Sequence, residues 1–364
     1  MEKSIIDYFV AIEDPRKWRN VQHQLEDIIV ISIIAVICGA EGWEEIEDFG
    51  RSKETFFKSI LKLPYGIPSH DTIRRVYMLL EPESFEQCFK SWTDSLAKKH
   101  KGVVAFDGKT VRGSHDRSNG KSPIHMVSAW SSANGIVLGQ IAVGDKSNEI
   151  TAIPKLIEIL DLKGLIVTID AMGTQTKIAK CIKEKSADYI LALKGNQGYL
   201  KELVEGGFQK RKADLSYETI EKDHGRIETR KCYVINQIEW MDEEKDRWCD
   251  LKSIIKIDSV REIQNNKTEE TRYYISSLNK NAELISNSIR EHWGIENKLH
   301  WSLDVTFRED ESRKRAGKTA KNFTIVRRIA LNLLRTCDNL KISLKRKRLK
   351  AGWDEGYLRN ILKI

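Results

Sequence analysis

The sequence predicts an α/β fold: a mixed sheet with helices packed on it, a helical segment ahead of it, and a β-rich insertion before its last helix. Three observations carry that prediction. Residues 103–143 hold three strand-like apolar runs, and the last two are separated by Ser131-Ser132-Ala133-Asn134-Gly135. Asn-Gly between two such runs is a strong hairpin signal. From 148 to 212 helical and strand periodicities alternate, and from about 214 to 282 the alternation stops.

Taken in order, residues 1–98 read as a helical domain. Residues 28–38 form one helix, ended near Gly39 and Gly42, and 44–59 form a second. A third starts at Ser69-His70-Asp71, where Ser69 or Asp71 caps it, and 84–99 form a fourth. Such a bundle suits DNA-end binding, and it suits packing and oligomerisation equally. Residues 99–213 then give strands at 103–106, 124–130 and 136–143, and a helix at 148–160 that Pro154 kinks or starts. A strand (166–169), a helix (174–185), a strand (189–193) and a helix (199–212) follow.

A β-meander followed by alternating helix and strand is the order of the ribonuclease-H-like fold. In that order the first and fourth strands can be neighbours. Asp107 ends the apolar run of the first and Asp170 that of the fourth. Open α/β sheets place their sites at such strand ends. Residues 214–282 read as the β-rich insertion, with runs at 230–235, 253–257 and 271–276. Residues 283–340 complete the core. There Ile285, Ile289, Trp293, Glu296, His300 and Leu303 fall at spacings of 3 or 4, which predicts one shared inward face. An unpaired inward Glu296 is costly, and a metal or His292 would offset that cost. Trp293 and Trp301 are expected in the core. Residues 341–364 form a basic tail, read as a solvated helix.

Composition narrows the function. The 364 residues carry a formal net charge of +8, which suits a polyanionic partner. Six widely spaced cysteines form no zinc-like pattern and predict a reduced, cytoplasmic protein. No stretch is long and apolar enough for a bilayer span, and the N-terminus has no signal-peptide pattern. Membrane and disulfide-scaffold classes are therefore excluded as expectations.

Three carboxylates, Asp107, Asp170 and Glu296, would hold hard divalent cations if the fold brings them together, and two such ions can clamp an in-line phosphoryl displacement. Lys109, Arg112 and Lys194 follow the strand ends and are candidate phosphate contacts, as are His224 and Arg226 in a glycine turn. Asp304, eight residues beyond Glu296, is a candidate hydrogen-bonding support for the site. Glu309, Asp310 and Glu311 read as surface charge.

The segments Phe106-Asp107-Gly108-Lys109-Thr110-Val111-Arg112-Gly113-Ser114, Thr168-Ile169-Asp170-Ala171-Met172 and His292-Trp293-Gly294-Ile295-Glu296-Asn297-Lys298-Leu299-His300-Trp301-Ser302-Leu303-Asp304-Val305 resemble those of DDE-type insertion-sequence transposases, the H-repeat-associated subgroup in particular. Pro68-Ser69-His70-Asp71-Thr72-Ile73 and Asp223-His224-Gly225-Arg226-Ile227-Glu228-Thr229-Arg230 resemble the same subgroup. The resemblance spans about residues 5–340. It implies Asp107, Asp170 and Glu296 as the catalytic, metal-binding triad, with two Mg²⁺ ions for which Mn²⁺ can substitute. It implies cleavage of double-stranded DNA at the element's inverted repeats and joining to target DNA, by a homodimer in a synaptic complex, in the bacterial cytoplasm at the nucleoid. Related transposases carry an arginine four residues before the glutamate and a lysine seven after it. Here those positions are His292 and Leu303, so Arg290, His292, Lys298 and His300 become the candidate DNA contacts of that helix. A nuclease without strand transfer and an inactive DNA-binding remnant of a mobile element are the rival readings.

Overall fold

The computed structural model describes residues 4–17, 21–96, 102–144, 147–223, 225–264, 266–279, 281–337 and 340–364. Six helices come first: α1 (Ile5–Phe9), α2 (Leu25–Ile37), α3 (Trp43–Ser52), α4 (Glu54–Lys58), α5 (His70–Leu79) and α6 (Pro82–Leu96). The sequence predicts one helix across 44–59, but the backbone breaks at Lys53, which leaves the α-region at φ −115°, ψ 25°. Ser69 caps α5, its hydroxyl accepting from the Thr72 amide at 3.4 Å. In α2, every residue but Glu26 is buried. A helix apolar all round belongs inside a protein, and α2 is the centre of one large core.

Then come β1 (Val103–Thr110), β2 (His125–Ser131), β3 (Ile136–Ala142), α7 (Glu149–Ile159), β4 (Ile166–Ile169), α8 (Thr176–Glu184), β5 (Asp188–Leu193) and α9 (Gly198–Lys210). Pro154 lies inside α7 rather than at its start. The remaining strands are β6 (Leu215–Asp223), β7 (Arg226–Ile235), β8 (Ser253–Ile263) and β9 (Asn266–Ser276), with α10 (Glu243–Arg247) between β7 and β8. The chain ends with α11 (Ala282–Gly294), a π-helical turn at Ile295–His300, α12 (Trp301–Val305), α13 (Thr319–Thr336), α14 (Leu344–Trp353) and α15 (Glu355–Leu362).

All nine strands join one sheet, in the order β3-β2-β1-β4-β5-β9-β8-β7-β6. β1, β2 and β3 pair antiparallel as the predicted meander, with Gly135 in the connecting turn at φ +67°. β4 lies parallel to both β1 and β5. This is the ribonuclease-H-like order read from the sequence. The β-rich segment does not form a detached barrel or sandwich. β9 pairs antiparallel with β5, from Ile190↔Ser276 to Leu193↔Tyr273, so the insertion prolongs the sheet of the core.

One face of the sheet packs with α7, α8 and α9 around Phe106, Val167 and Leu191. The other meets a core that unites α1–α6 with α13–α15 and the π-helical turn. The basic C-terminal segment is therefore not a solvated tail. Tyr357, Leu358, Ile361 and Leu362 bury in that core. Arg348 donates to the Val36 carbonyl at 2.8 Å and to Glu41 at 2.9 Å. Fully burying a leucine or isoleucine is worth about 1.5–3 kcal/mol, which offsets the confinement of the neighbouring cations. The six cysteines are free thiols. Among the described residues no helix is long and apolar enough to cross a membrane.

Candidate active site

β1, β4 and β5 run parallel, so their C-terminal ends share one edge of the sheet. Phe106 pairs with Ile169, which sets Asp107 beside Asp170, the residue just after β4. Asp107 is mostly buried, with 15% of its side chain exposed, and its Oδ1 accepts from the Gly108 amide at 2.9 Å. Asp170 is fixed differently: its Oδ1 accepts from the amides of Met172 (3.0 Å) and Gly173 (3.3 Å) in the turn after β4.

Glu296 arrives from across the insertion. His292 on α11 is hydrogen-bonded through Nδ1 to Thr168 Oγ1 at 3.0 Å, which pins the helix to β4. One turn later the helix widens into the π-helical segment that begins at Ile295. Single π turns occur often at functional sites. Here the extra residue rotates the helix faces. Ile295, Leu299, His300 and Leu303 turn inward, while Trp293 (43% exposed), Trp301 (58%) and Glu296 turn outward. The single inward face predicted from the 3–4 spacing is thus split. Glu296 is 53% exposed rather than buried among apolar groups, and neither tryptophan is a core residue.

Ligating atoms of Asp107, Glu296 and His300 all lie within 4.8 Å of one another. Nδ1 of His300 is 3.4 Å from Glu296 Oε2 and 3.6 Å from Asp107 Oδ2. Asp170 stands outside that tight set, although its charge still acts on Asp107. Burial, together with the Glu296 carboxylate beside it, pushes Asp107 up to about 8. The neighbouring His300 ring holds Glu296 in the opposite direction, well below the usual carboxylate range. Two acids this close cannot both ionise as freely as lone carboxylates, which is why they are pushed in opposite directions. Two carboxylates and an imidazole nitrogen converging at one point form a donor set that fits a divalent cation.

The candidate phosphate contacts divide. Lys109 is buried, its ammonium 2.7 Å from Asp304 and 2.8 Å from Asp310, so it is enclosed by acids and cannot meet DNA. Asp304 supports β1 through that contact, and burial pushes its own carboxyl up despite Lys109. Glu309 is not surface charge either. It is fully buried, with Arg328 at 2.8 Å. Asp310 holds Lys109, and Glu311 pairs at the surface with Arg308.

His292 faces Thr168, and burial lowers its basicity. Leu303 is in the core. Neither position marked by the family pattern therefore offers a phosphate contact. His300 is buried and turned to the carboxylates, not to solvent. Arg112, Lys194 and Lys298 are exposed. Arg112 approaches Asp310 at 3.4 Å, and Arg290 is paired with Glu221 on β6. His224 lies outside the described residues.

An open cleft of about 730 Å³ lies between β7–β9 and α11 and reaches Asn297 and Lys298, the residues that follow Glu296. Arg226, Arg230, Arg261, Arg272, Arg290 and Lys298 line it against three acids, Glu228, Glu270 and Glu291. The Arg272 guanidinium stacks on Trp293 at 4.6 Å. Three of these arginines were not singled out from the sequence: Arg230, Arg261 and Arg272 on the strands, which form a two-residue alternation with Arg226, Glu228, Ser259 and Glu270, whereas Arg226 and Arg290 were already candidates. Period two in a half-buried strand was the signal that could have found the first three.

Known families and proteins resemble the chain over most of its length. Residues 98–333 match the "Transposase DDE domain" family model, and residues 6–93 match the "DDE_Tnp_1-associated" model. The chain is 42% identical to the "H repeat-associated putative transposase YhhI" of Escherichia coli (strain K12), over 99% of this chain and 98% of that one. It is 43% identical to the "Putative transposase YncI" of Escherichia coli O157:H7, over 99% and 94%. A chain from a cryo-EM structure of a piggyBac transposase synaptic complex with hairpin DNA superposes with a TM-score of 0.45 at 12% identity, over 99% of this chain and 78% of that one. The match of the DDE domain over most of the chain, with full-length identity above 40%, places this protein in the DDE transposase family, among the H-repeat-associated transposases.

Proposed function

We propose that the chain cuts DNA at the ends of a mobile element and joins the freed 3′-ends to target DNA. The observation that carries this reading is the meeting of Asp107 and Glu296, which approach from opposite sides of the insertion at the strand edge that also holds Asp170. Asp107, Asp170 and Glu296 are the residues that hold cations in this reading, as carboxylates. Bound divalent ions, two Mg²⁺ with Mn²⁺ able to substitute, supply water activation and charge neutralisation at phosphorus.

The chain's own residues do the positioning. Arg226 and Lys298 in the cleft, with Arg112 and Lys194 at the strand edge, hold phosphates and orient the scissile bond. Arg290 joins them by exchanging Glu221 for a phosphate. In the joining reaction the freed 3′-oxygen forms a bond to a target phosphorus. The target strand's own 3′-oxygen leaves and takes a proton from solvent, so no protein–DNA bond is needed. Two ends must be brought together, so in this reading the active form is a homodimer on double-stranded DNA, at the nucleoid.

Labelled inverted-repeat DNA, incubated with unlabelled target and Mg²⁺, tests this. Wild type should yield both nicked ends and joined product. Asp107→Asn, Asp170→Asn and Glu296→Gln should each lose cleavage at least about 100-fold, the scale of removing one electrostatic stabiliser, while still binding end DNA. Cleavage without any joined product would replace this reading with that of a nuclease. Equal cutting by wild type and Asp170→Asn would remove that residue from the site.

A further inference from the structure

His300 has no role in the reading just given, yet it is the third member of the tight donor set. Its ring is almost sealed from solvent, with 7% of the side chain exposed. Nε2 is buried with no hydrogen-bond partner. Nδ1 faces two carboxylate oxygens at 3.4 and 3.6 Å. Both separations exceed the roughly 2.7–3.2 Å of an N–H···O hydrogen bond. Ligands about 2.0–2.2 Å from a shared ion stand roughly 3.0–3.5 Å from one another, so the Glu296 separation falls within that range and the Asp107 separation just beyond it. A buried imidazole without a good hydrogen bond is costly, and a cation between Nδ1 and the two oxygens would offset that cost.

Resting on the proposed metal-dependent reaction, we infer that His300 is itself a cation ligand, through Nδ1, beside Asp107 and Glu296. A nitrogen ligand changes the ion the site prefers. Mg²⁺ seeks oxygen and keeps its waters, whereas N/O sites take the first-row divalent ions in rising order from Mn²⁺, the weakest of them, and imidazole suits the later ones. A site with this nitrogen ligand therefore favours Mn²⁺ over Mg²⁺ by more than one built from oxygens alone. This also explains the sealed position of His300: a phosphate contact needs an open ring, and a ligand does not. Asp170, outside the tight set and already tied to two backbone amides, completes the site from the other side.

Pulsed EPR of Mn²⁺ added to the purified full-length protein reads the bond directly, because a coordinated imidazole nitrogen gives a ¹⁴N modulation. Wild type should show that modulation, and His292→Gln should keep it. His300→Gln should lose it, and its preference for Mn²⁺ over Mg²⁺ by calorimetry should fall by at least the roughly 10-fold that loss of an outer partner costs. Mn²⁺ bound to wild type without nitrogen modulation overturns the assignment with no variant needed, as does modulation that survives in His300→Gln. Complete failure of Mn²⁺ to bind would instead sink the metal-dependent reading on which this inference rests, and the inference with it.

Discussion

Lys109 on β1 and Asp304 on α12 meet at 2.7 Å, and that contact ties the strand bearing Asp107 to the helix that follows Glu296. Asp310 closes on the same ammonium at 2.8 Å, and Glu309 lies behind it at 3.9 Å. Replacing Lys109 with Met would leave three carboxylates facing each other without this cation. Breaking a buried pair by removing one partner costs about 3–5 kcal/mol. Urea unfolding of Lys109→Met should show a loss of that order. A loss of DNA affinity with less than about 1 kcal/mol of stability change would return Lys109 to the phosphate contacts.

Gly108 sits between Asp107 and Lys109, and a methyl group there would run into the side chains of His125 and Glu149, which are bonded to each other at 2.6 Å. Gly108→Ala should cost about 1–3 kcal/mol, the usual range for overpacking. It should also depress cleavage, because Asp107 takes a hydrogen bond from that residue's amide. Thermal melts and end-cleavage rates measured together check both, and an unchanged melt would show that the pair yields without cost.

The cleft predicts a salt signature. Arg226→Ala and Lys298→Ala should each weaken binding across all DNA sequences and lower the slope of log affinity against log salt by about one. Fluorescence anisotropy between low and moderate salt measures it. A variant whose slope matches wild type makes no phosphate contact.

Lys314 gives the pH prediction. Its ammonium lies over the rings of Trp43 and Phe323 at 4.7 and 4.1 Å, and burial, with Arg327 nearby, pushes it down to about 7. Glu41, Glu44 and Glu45 act in the opposite direction without cancelling this. Between pH 7 and the ordinary lysine range the unfolded chain binds a proton that the folded chain does not. Stability from this group therefore rises with pH across that window and is lost as pH falls towards 7. Lys314→Met should melt above wild type at pH 7, with the gap shrinking by pH 9.5. A gap that stays constant across the range would show that Lys314 keeps its proton when folded.

The positions of Asp107 and Asp170 were legible because each closes an apolar run, Asp170 just past β4 and Asp107 where β1, which continues to Thr110, leaves its pairing with β4, and strand order follows from the hairpin and the alternation after it. The meeting with Glu296 was legible only through the resemblance, since no local pattern brings α11 onto β4. Three features were hidden for physical reasons. The π turn at Ile295–His300 adds a residue that a regular 3.6 period cannot foresee, so Glu296 and Trp301 face outward while His300 and Leu303 keep the inward positions that the spacing predicts. Glu309 was read as surface because an acid is cheap to bury only beside cations, and Arg328 comes from a helix later in the chain. The C-terminal basic run looked solvated because nothing in it reveals that Arg348 reaches the Val36 carbonyl and Glu41.

The ladder between β5 and β9 makes the insertion and the core one piece of hydrogen-bonded cloth. A lobe hung on a flexible tether could swing to admit a duplex and close afterwards. Here such a swing would tear backbone bonds next to Lys194, at the rim of the catalytic edge. The cleft must then meet its substrate nearly preformed, with compliance confined to the far ends of the two long hairpins, β6–β7 and β8–β9, and the nucleic acid left to supply most of the bending.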